Sequence, residues 1–532
     1  MAAESSESSR AGHPNSPRSH SDPLLPESNR PDFVPTGVPG LDPVLLGGFI
    51  KDGFYLIQGD PGSGKTTVAL QYLLARMAAG EYCLYITLTE TIVDLQNAAR
   101  SHGWSLEGLE ICDLTKSAVN LAGESESSVF HPSETELGET TQAIFAAVER
   151  VRPQNVVFDG MSEMRLLSGN PLVYRRQLLA MKDFFVQKGA TVLLLDDRAA
   201  PFGSMLPESL VGGNIVLERM LPQYGRARRR LYVTKIRGSD FREGFHDYEI
   251  AQGGVIVHPR LIASEHHEKF RRENFPSGVA NLDKMLFGGL TSGSTTLLLG
   301  PAGSGKSTIS MLFAISAMRE GHQAAVYMFD EVLDTLVERV EKLCLKEEGG
   351  LRQFIDQGLL HAQQVDPAEK TPGAFAHEVR RAVEAGARVV VIDSLNGYLN
   401  AMPEERFLTT HLHELFSYLN QQGVVTIMVV AQHGMVMGTG VGADVDVSYL
   451  ADTVLLFRYF ESRGEILQAI SVFKKRTGVH ERTLRQLHIS SSGVDVGEPL
   501  REFRGIMTGV PQYEGAAVGD TASLVPGRKG GA

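Results

Sequence analysis

The 532-residue chain has few of the residues that build disulfide-rich, zinc-rich or membrane-spanning proteins. Its three cysteines, Cys83, Cys112 and Cys344, are widely spaced and form no C-x-x-C pair, so we expect neither a disulfide framework nor a cysteine-rich zinc site. No apolar run approaches the roughly 20 residues of a transmembrane helix. The first thirty residues also lack the apolar core of a signal peptide. We therefore expect a cytoplasmic protein without a membrane span.

Basic residues are also in deficit. Lys and Arg total 51 against 63 Asp and Glu, which gives a formal net charge of −12. This balance argues against a general nucleic-acid-binding protein, although it leaves room for a local basic patch. Apolar residues make up 42% and charged residues 21%, which is ordinary for globular proteins. At roughly 150 residues per domain, the length predicts three or four domains, or two large ones.

An internal repeat decides between these counts. The stretch GVPGLDPVLLGGFIKDGFYLIQGDPGSGKTT at 37–67 matches GVANLDKMLFGGLTSGSTTLLLGPAGSGKST at 278–308, always with a spacing of 241 positions. Two glycine-rich loops that resembled each other by chance would not keep one register over thirty residues. The repeat predicts two copies of one domain, at 31–255 and 272–510. We expect the Ser- and Pro-rich residues 1–30 to be disordered and residues 511–532 to form a flexible tail.

Each copy has the same order of elements. An apolar strand leads into a Gly-rich loop and an amphipathic helix, and further strands alternate with helical sequence. The strands read as continuous apolar runs, such as NVVFD at 155–159 and RVVVID at 388–393, which is typical of parallel strands covered on both faces. The predicted fold class is α/β, with two tandem P-loop domains, each a mostly parallel sheet flanked by helices.

Both copies carry the P-loop motif G-x-x-x-x-G-K-[ST]. Its glycines let backbone N–H groups point at phosphate oxygens, its lysine reaches the β- and γ-phosphates, and its hydroxyl ligates Mg²⁺. The alternative is a Gly-rich turn without a ligand, which the preceding strand, the following helix and the duplication disfavour. The predicted ATP-binding residues are Gly59, Gly62, Ser63, Gly64, Lys65, Thr66, Thr67, Gly300, Gly303, Ser304, Gly305, Lys306, Ser307 and Thr308.

Acidic residues end the strands that follow each loop. Asp159 and Asp393 are predicted to support the magnesium ion together with Thr66 and Ser307, the alternative being ordinary helix N-caps. Glu90 and Glu331 each lie 25 residues after the P-loop lysine, where a carboxylate could orient or deprotonate the attacking water. A helix-capping acid is the alternative.

Basic clusters come late in each copy. The two that bear on the site contain Lys235 and Arg237 in the first copy and Lys474 and Arg476 in the second. A solvated charged strand, a cation delivered to the γ-phosphate of a neighbouring subunit, and a nucleic-acid patch are the three interpretations. No aromatic platform interleaves the first cluster, which argues against the third.

With these motifs in place, the chain resembles a double-domain member of the KaiC family, a branch of the RecA-like ATPases. The resemblance covers about residues 33–510. It is carried by PTGVPGLD at 35–42, NAARSHGW at 97–104, VTKIRGS at 233–239, RGEILQAISVFKKR at 463–476 and GIMTGVP at 505–511.

The resemblance implies an ATP-dependent homohexamer of two stacked rings, with nucleotide bound between adjacent protomers. By motif position, Lys235, Arg237, Lys474 and Arg476 would face the nucleotide of the neighbouring subunit. The first ring would be the steadier ATPase, and the second would transfer phosphate to an adjacent Ser–Thr pair of the protein itself. Unidentified signalling proteins are the expected further partners.

The chain departs from the family pattern at two places. The phosphoacceptor pair reads Ser448–Tyr449, which keeps one acceptor, Ser448. The tandem Glu–Glu after the second strand reads Thr89–Glu90 in the first copy and Asp330–Glu331 in the second, so Asp330 joins Glu331 as a candidate catalytic acid.

Three functions follow from these observations. The leading hypothesis is an ATP-hydrolysing hexamer with serine autokinase activity at Ser448. The second is an ATP-gated scaffold that signals by protein contact with little turnover. The third, a RecA-like recombinase or helicase, is disfavoured by the acidic balance and by the lack of a DNA-binding accessory module.

Overall fold

The computed structural model describes residues 31–115, 132–198, 206–222, 225–344, 350–366, 368–400, 408–432, 448–507 and 511–514. Within these ranges, no helix is both long and apolar enough to cross a membrane. Ser448 begins a 3-10 turn, and its side chain lies outside the described part of the chain.

The first domain opens with a small antiparallel ribbon, β1 (Phe33–Val34) and β2 (Phe49–Ile50), which encloses the short helix α1 (Leu41–Val44). A nine-stranded sheet follows. Its strands are β3 (Phe54–Gly59), β4 (Cys83–Thr87), β5 (Glu110–Asp113), β6 (Asn155–Asp159), β7 (Thr191–Asp197), β8 (Gly213–Met220), β9 (Arg228–Ile236), β10 (His246–Ala251) and β11 (Gly254–His258). Their order across the sheet is β11-β10-β9-β8-β3-β7-β6-β4-β5.

The strands from β8 to β5 across the sheet are parallel, and β9 to β11 add an antiparallel extension. Helices cover both faces of the sheet. They are α2 (Lys65–Ala78), α3 (Ile92–Ser101), α4 (Pro132–Val151), α5 (Met161–Ser168), α6 (Pro171–Lys188) and α7 (Leu206–Leu210).

The second domain repeats this plan. It opens with β12 (Asn274–Phe275), α8 (Ala280–Met285) and β13 (Leu290–Thr291). Its sheet contains β14 (Ser294–Gly300), β15 (Gln323–Met328), β16 (Leu360–Gln364), β17 (Ala387–Asp393), β18 (Val425–Ala431), β19 (Thr453–Ser462), β20 (Glu465–Lys475), β21 (Arg485–Ser490) and β22 (Gly493–Pro499). The order is β16-β15-β17-β18-β14-β19-β20-β21-β22, the same as in the first sheet when the two are aligned on the strand before the P-loop.

The helices of the second domain are α9 (Lys306–Arg319), α10 (Leu333–Cys344), α11 (Leu351–Asp356), α12 (Pro372–Glu384), α13 (Leu395–Asn400) and α14 (Leu408–Gln421). A last ribbon pairs β23 (Phe503–Arg504) with β24 (Gln512–Tyr513). The predicted fold class is confirmed: two mostly parallel nine-stranded sheets are flanked by helices.

The alternating faces of each sheet explain why the strands are apolar throughout. In β3, Tyr55 and Ile57 belong to a buried cluster on one face, and Phe54 and Leu56 belong to the cluster on the other. The second sheet is buried on both faces in the same way. Because both faces are buried, polar side chains are displaced to the strand ends, and this places the acids beside the loops.

Candidate active sites

The first P-loop connects the end of β3 to the start of α2. Gly62 has a φ of 76° and Gly64 a φ of 101°, in the left-handed region that side chains disfavour. A Cβ on Gly64 would also lie 2.7 Å from Ile250 Cδ1. These glycines therefore allow the tight loop that turns backbone N–H groups toward a bound anion at the helix N-terminus.

Lys65 is the first residue of α2, and its side chain bends back across the loop. Its Nζ donates to the Gly59 carbonyl at 2.8 Å and to Asp197 Oδ1 at 2.7 Å. Asp197 ends β7, directly opposite Gly59 in the sheet register. The P-loop lysine of the first domain is thus held by an ion pair with a carboxylate of its own chain.

The acids of the first site surround the Thr66 hydroxyl. Thr66 Oγ1 lies 3.4 Å from Glu90 Oε1, and the buried Tyr85 hydroxyl donates to Asp159 Oδ2 at 2.7 Å and also interacts with Thr66. Burial raises the pKa of Asp159 to about 6, while the Tyr85 hydrogen bond opposes that rise. Burial also raises the pKa of Glu90, against the Thr66 hydrogen bond. Both carboxylates therefore have increased affinity for a proton.

The second P-loop has the same backbone but a different lysine environment. Lys306 is 5% exposed, and its Nζ donates to the carbonyls of Gly300 at 2.9 Å and Pro301 at 2.6 Å. The position that Asp197 occupies in the first sheet is Ala431 here, opposite Gly300. Burial lowers the pKa of Lys306 to about 8, partly offset by the charge of Asp393. Asp393 does not outweigh the desolvation of this lysine.

The acids of the second site accept hydrogen bonds from neighbouring side chains. Asp393 accepts a hydrogen bond from the Ser307 side chain; burial raises its pKa, and this hydrogen bond opposes the rise. Asp330 accepts from Ser394 Oγ at 2.5 Å, and the same Oγ accepts from the Gly397 amide at 3.1 Å. Asp330 thus stabilises the turn that follows β17 through the Ser394 hydroxyl.

Glu331 is paired with a cation that has no counterpart in the first site. Its two oxygens accept from Arg339 Nε at 3.2 Å and Nη2 at 2.7 Å. Arg339 lies on α10, and the 241-residue spacing places Ala98 at the equivalent position of α3. Within the described residues, an arginine therefore binds Glu331 but not Glu90.

The two sites can be compared with known proteins through their motifs. The family model of the KaiC ATPases matches residues 34–262 and again residues 275–501. The chain belongs to the KaiC family. This confirms the resemblance seen in the sequence and supports ATPase activity with nucleotide and magnesium as ligands.

Individual relatives match along nearly the whole chain. The circadian clock protein KaiC3 of Synechocystis sp. is 24% identical over 504 residues, which cover 92% of this chain and 96% of the relative. The circadian clock oscillator protein KaiC of Thermosynechococcus vestitus is 25% identical over 504 residues (93% and 95%). That of Synechococcus elongatus is 26% identical over 480 residues (90% and 91%).

The donors beside each KaiC P-loop fit a magnesium ion bound with a nucleotide. A hydroxyl and a buried carboxylate, Thr66 with Asp159 and Ser307 with Asp393, are hard oxygen ligands of the kind that Mg²⁺ prefers when phosphates complete its shell. Clusters of three or more His, Cys, Asp or Glu side chains able to hold an ion by themselves are absent from the described ranges. This arrangement matches a metal that arrives with its nucleotide.

The late basic residues do not reach the P-loop of their own domain. Lys235 and Arg237 donate to the carbonyls of Glu208 and Ser209, and Lys474 donates to Ala451 at 2.7 Å. Lys235 in β9 pairs with Asn214 of β8, and Lys474 in β20 pairs with Val454 of β19. Both partners lie near the start of their strands, at the end of the sheet opposite the P-loops. Arg237 directly follows β9. Arg476 lies there too, with Nη1 3.7 Å from Asp452 Oδ1. Their part in a neighbouring subunit's site stays a prediction.

Three residues near the sites were missed by the sequence analysis. Asp197 is visible in the sequence as the second acid of a strand ending Asp–Asp, and Tyr85 interrupts an apolar strand two residues from the end of β4. Arg339 is one of several charged residues on an amphipathic helix, and only the fold shows that it meets Glu331.

Proposed function

We propose that the chain is an ATP-hydrolysing homohexamer whose second domain phosphorylates Ser448, acting in nucleotide-dependent signalling. Family membership supports the ATPase part. The observation that carries the assignment to these residues is that each P-loop lysine, loop hydroxyl and strand-terminal aspartate converge at the same end of the sheet, beside a glutamate.

In this proposal the P-loop amides and Lys65 or Lys306 bind the β- and γ-phosphates. Glu90 or Glu331 orients the attacking water and accepts its proton as the oxygen bonds to phosphorus and ADP leaves. Magnesium bound with the triphosphate would neutralise the phosphate charge. Asp159 and Asp393 would hold water molecules of that ion's shell, and Asp330 supports the turn after β17 through Ser394.

The proposed phosphoacceptor lies at the opposite end of the sheet from the P-loop of its own domain. Ser448 opens the turn at Ser448–Leu450, and the Asp452 amide donates to the Thr295 carbonyl near the start of β14. The six residues of β14 from Thr295 to Gly300 span roughly 17 Å. Transfer within one chain is therefore disfavoured, which supports a γ-phosphate supplied by a neighbouring subunit.

The proposed cations lie at the same end of the sheet as Ser448. Arg476 Nη2 lies 3.5 Å from the Tyr449 carbonyl, directly beside the acceptor residue, and Lys474 is two residues away in β20. A subunit that presents Ser448 to its neighbour would present these charges at the same time. Because the acceptor and the cations lie together, one contact between subunits would bring both to the neighbouring nucleotide. Their common location therefore supports the proposed interfacial site.

Phosphosite mapping alongside ATPase rates tests the proposal. After incubation with Mg·ATP we expect phosphate on Ser448 in the wild type and none in Lys306→Ala. Light scattering should show a hexamer with ATP, whose assembly Lys65→Ala should impair. Turnover without phosphate on Ser448 would reduce the proposal to an ATPase. Assembly with almost no turnover would instead support an ATP-gated scaffold.

A further inference from the structure

The ion pair between Glu331 and Arg339 has the geometry of a strong carboxylate–guanidinium contact. Two roughly parallel N–H donors meet the two oxygens at 3.2 and 2.7 Å, and both side chains are about three-quarters buried, with 24% and 25% exposed. Charge-assisted pairs of this bidentate kind are stronger than single-donor contacts. The pair therefore holds the carboxylate in one orientation and neutralises it.

The same guanidinium lies against the start of the P-loop helix. Arg339 Nη1 is 3.5 Å from Thr308 Oγ1, one residue after Ser307, the proposed magnesium ligand. Arg339 thus connects α10 to the first turn of α9, directly after the P-loop. Its position next to Glu331 depends on two elements of the fold, which makes it more than a chance surface contact.

The described part of the first site has no such restraint. Ala98 replaces Arg339, and the Glu90 side chain receives a hydroxyl contact from Thr66 at 3.4 Å. A carboxylate that is not held by a guanidinium is free to orient toward water and accept its proton. A carboxylate whose two oxygens each accept from a guanidinium is less free to turn toward a water molecule, because the bidentate contact fixes its orientation and uses one lone pair of each oxygen.

We infer that Arg339 is a positioning residue that restrains Glu331 and so slows water attack at the second site. The inference rests on the proposed role of Glu331 as the group that accepts the water proton. When the ion pair opens, Glu331 takes that proton, the water oxygen bonds to the γ-phosphorus, and the bond to the ADP oxygen breaks. While the pair is closed, the γ-phosphoryl group is preserved for a hydroxyl acceptor.

The test uses the full-length protein in a Glu90→Gln background, where residual turnover reports on the second site. Arg339→Ala should raise kcat about three- to tenfold, since releasing a partly buried ion pair of roughly 1 kcal/mol has that effect. KM should change less than about twofold, because the guanidinium holds the acid and not the phosphates. Arg339→Lys, which replaces the guanidinium with a single ammonium group, should have a kcat between those of the Arg339 protein and Arg339→Ala.

A matched control comes from the neighbouring helix α11. Arg352 Nη2 lies 3.3 Å from Asp334 Oδ1 on α10, with both side chains largely exposed and away from Glu331. Arg352→Ala should leave kcat and KM unchanged. Should Arg339→Ala fold poorly by thermal unfolding, Arg339→Gln keeps the size of the side chain, removes its charge, and should also raise kcat.

Two outcomes separate this inference from the proposed function. Glu331→Gln in the same background should reduce the residual turnover at least about tenfold; if it does not, Glu331 is not the proton acceptor and the proposed role fails. If it does, but Arg339→Ala and Arg339→Gln leave kcat unchanged or lower it, the restraint by Arg339 is overturned. Adding Arg339→Ala to the Glu90→Gln, Glu331→Gln protein should have no effect.

Discussion

In the first domain the P-loop lysine is bound by a carboxylate, Asp197, and no arginine of the described ranges binds Glu90, the acid beside the loop hydroxyl. In the second domain the pattern is reversed: Lys306 donates to backbone carbonyls, and Glu331 is bound by Arg339. Among the residues that the structure describes, the ion pair lies on the P-loop lysine in the first site and on the candidate catalytic glutamate in the second.

The two ion pairs would affect different steps: the one in the first site nucleotide binding, and the one in the second site hydrolysis. An anion on the P-loop lysine competes with the phosphates, so the first site must break a contact in order to bind nucleotide. A cation on the acid competes with water activation, so the second site must break a contact in order to hydrolyse. The two copies share the backbone of the loop and differ at the positions of Asp197 and Arg339, which Ala431 and Ala98 occupy in the other copy.

The largest expected effect is on turnover by the two acids. Glu90→Gln should lower the total ATPase rate at least about tenfold, because removing a general base typically costs 10²–10⁴ at its own site. Glu331→Gln should lower it less than twofold, since its site is already restrained by Arg339. Steady-state rates of the two variants decide the matter. Equal losses would mean that the ion pair at Glu331 does not separate the sites.

Nucleotide binding at the second site should depend on pH. The pKa of Lys306 is lowered to about 8 by burial, so the nucleotide-free lysine loses its proton as the pH rises through 8. Phosphate favours the charged form, and binding above pH 8 therefore takes up a proton. Affinity should fall about fivefold between pH 8 and 9.

Metal-free ADP titrations of full-length Lys65→Ala, which keeps only the second P-loop lysine, measure this dependence. Lys306→Ala, which keeps only the first, shows the general effect of pH on the nucleotide and the protein. An affinity of the second site that is constant from pH 7 to 9 would contradict the prediction.

The ion pair on Lys65 should reduce nucleotide affinity at the first site. Asp197→Asn removes the competing charge, and in a Lys306→Ala background we expect ADP to bind about threefold more tightly. The effect is modest because the Asp197 side chain is 47% exposed and solvent screens it. The reciprocal change, Ala431→Asp in a Lys65→Ala background, should weaken binding at the second site. An unchanged ADP affinity in both variants would mean that Asp197 does not affect nucleotide binding.

The fold and the outline of both sites were predictable from the sequence because they depend on local patterns. A strand, a glycine-rich loop and a helix are contiguous, and a buried parallel strand leaves its polar residue at the end, as with Asp159 and Asp393. The contacts that distinguish the sites were not predictable in this way. Lys65 and Asp197 are 132 positions apart, and Tyr85 and Asp159 are 74 apart. Such pairs depend on strand order and register.

Even the short separation of Glu331 from Arg339 did not reveal their contact. Eight residues span the turn after β15 and the first turns of α10, and the angle between them is set by packing against the rest of the domain. A charged residue on an amphipathic helix has many solvent-exposed alternatives, so its pairing follows only from the folded structure.

The smallest expected effect concerns Tyr85, which only the first site has, since Val326 is its equivalent in the second sheet. Tyr85→Phe removes the hydrogen bond that opposes the rise in the pKa of Asp159, so this pKa should move above about 6. The ionised form supports magnesium and is lost as the pH falls through that value. We expect magnesium to support turnover about twofold less well at pH 6.5, with no difference at pH 8.

Magnesium titrations of ATPase activity at the two pH values test this effect. Tyr72→Phe is the matched control, because its hydroxyl is equally buried in the first domain but donates to Asn155 Oδ1 at 2.5 Å, away from the acids. Each variant loses a buried hydrogen bond, and Tyr85→Phe also loses the contact of its hydroxyl with Thr66. A general loss of stability would appear in both variants and at both pH values. A deficit that is confined to Tyr85→Phe and to acid pH assigns the effect to Asp159. A deficit of the same size at pH 8 would show that Tyr85 acts on packing and not on the charge of the carboxylate.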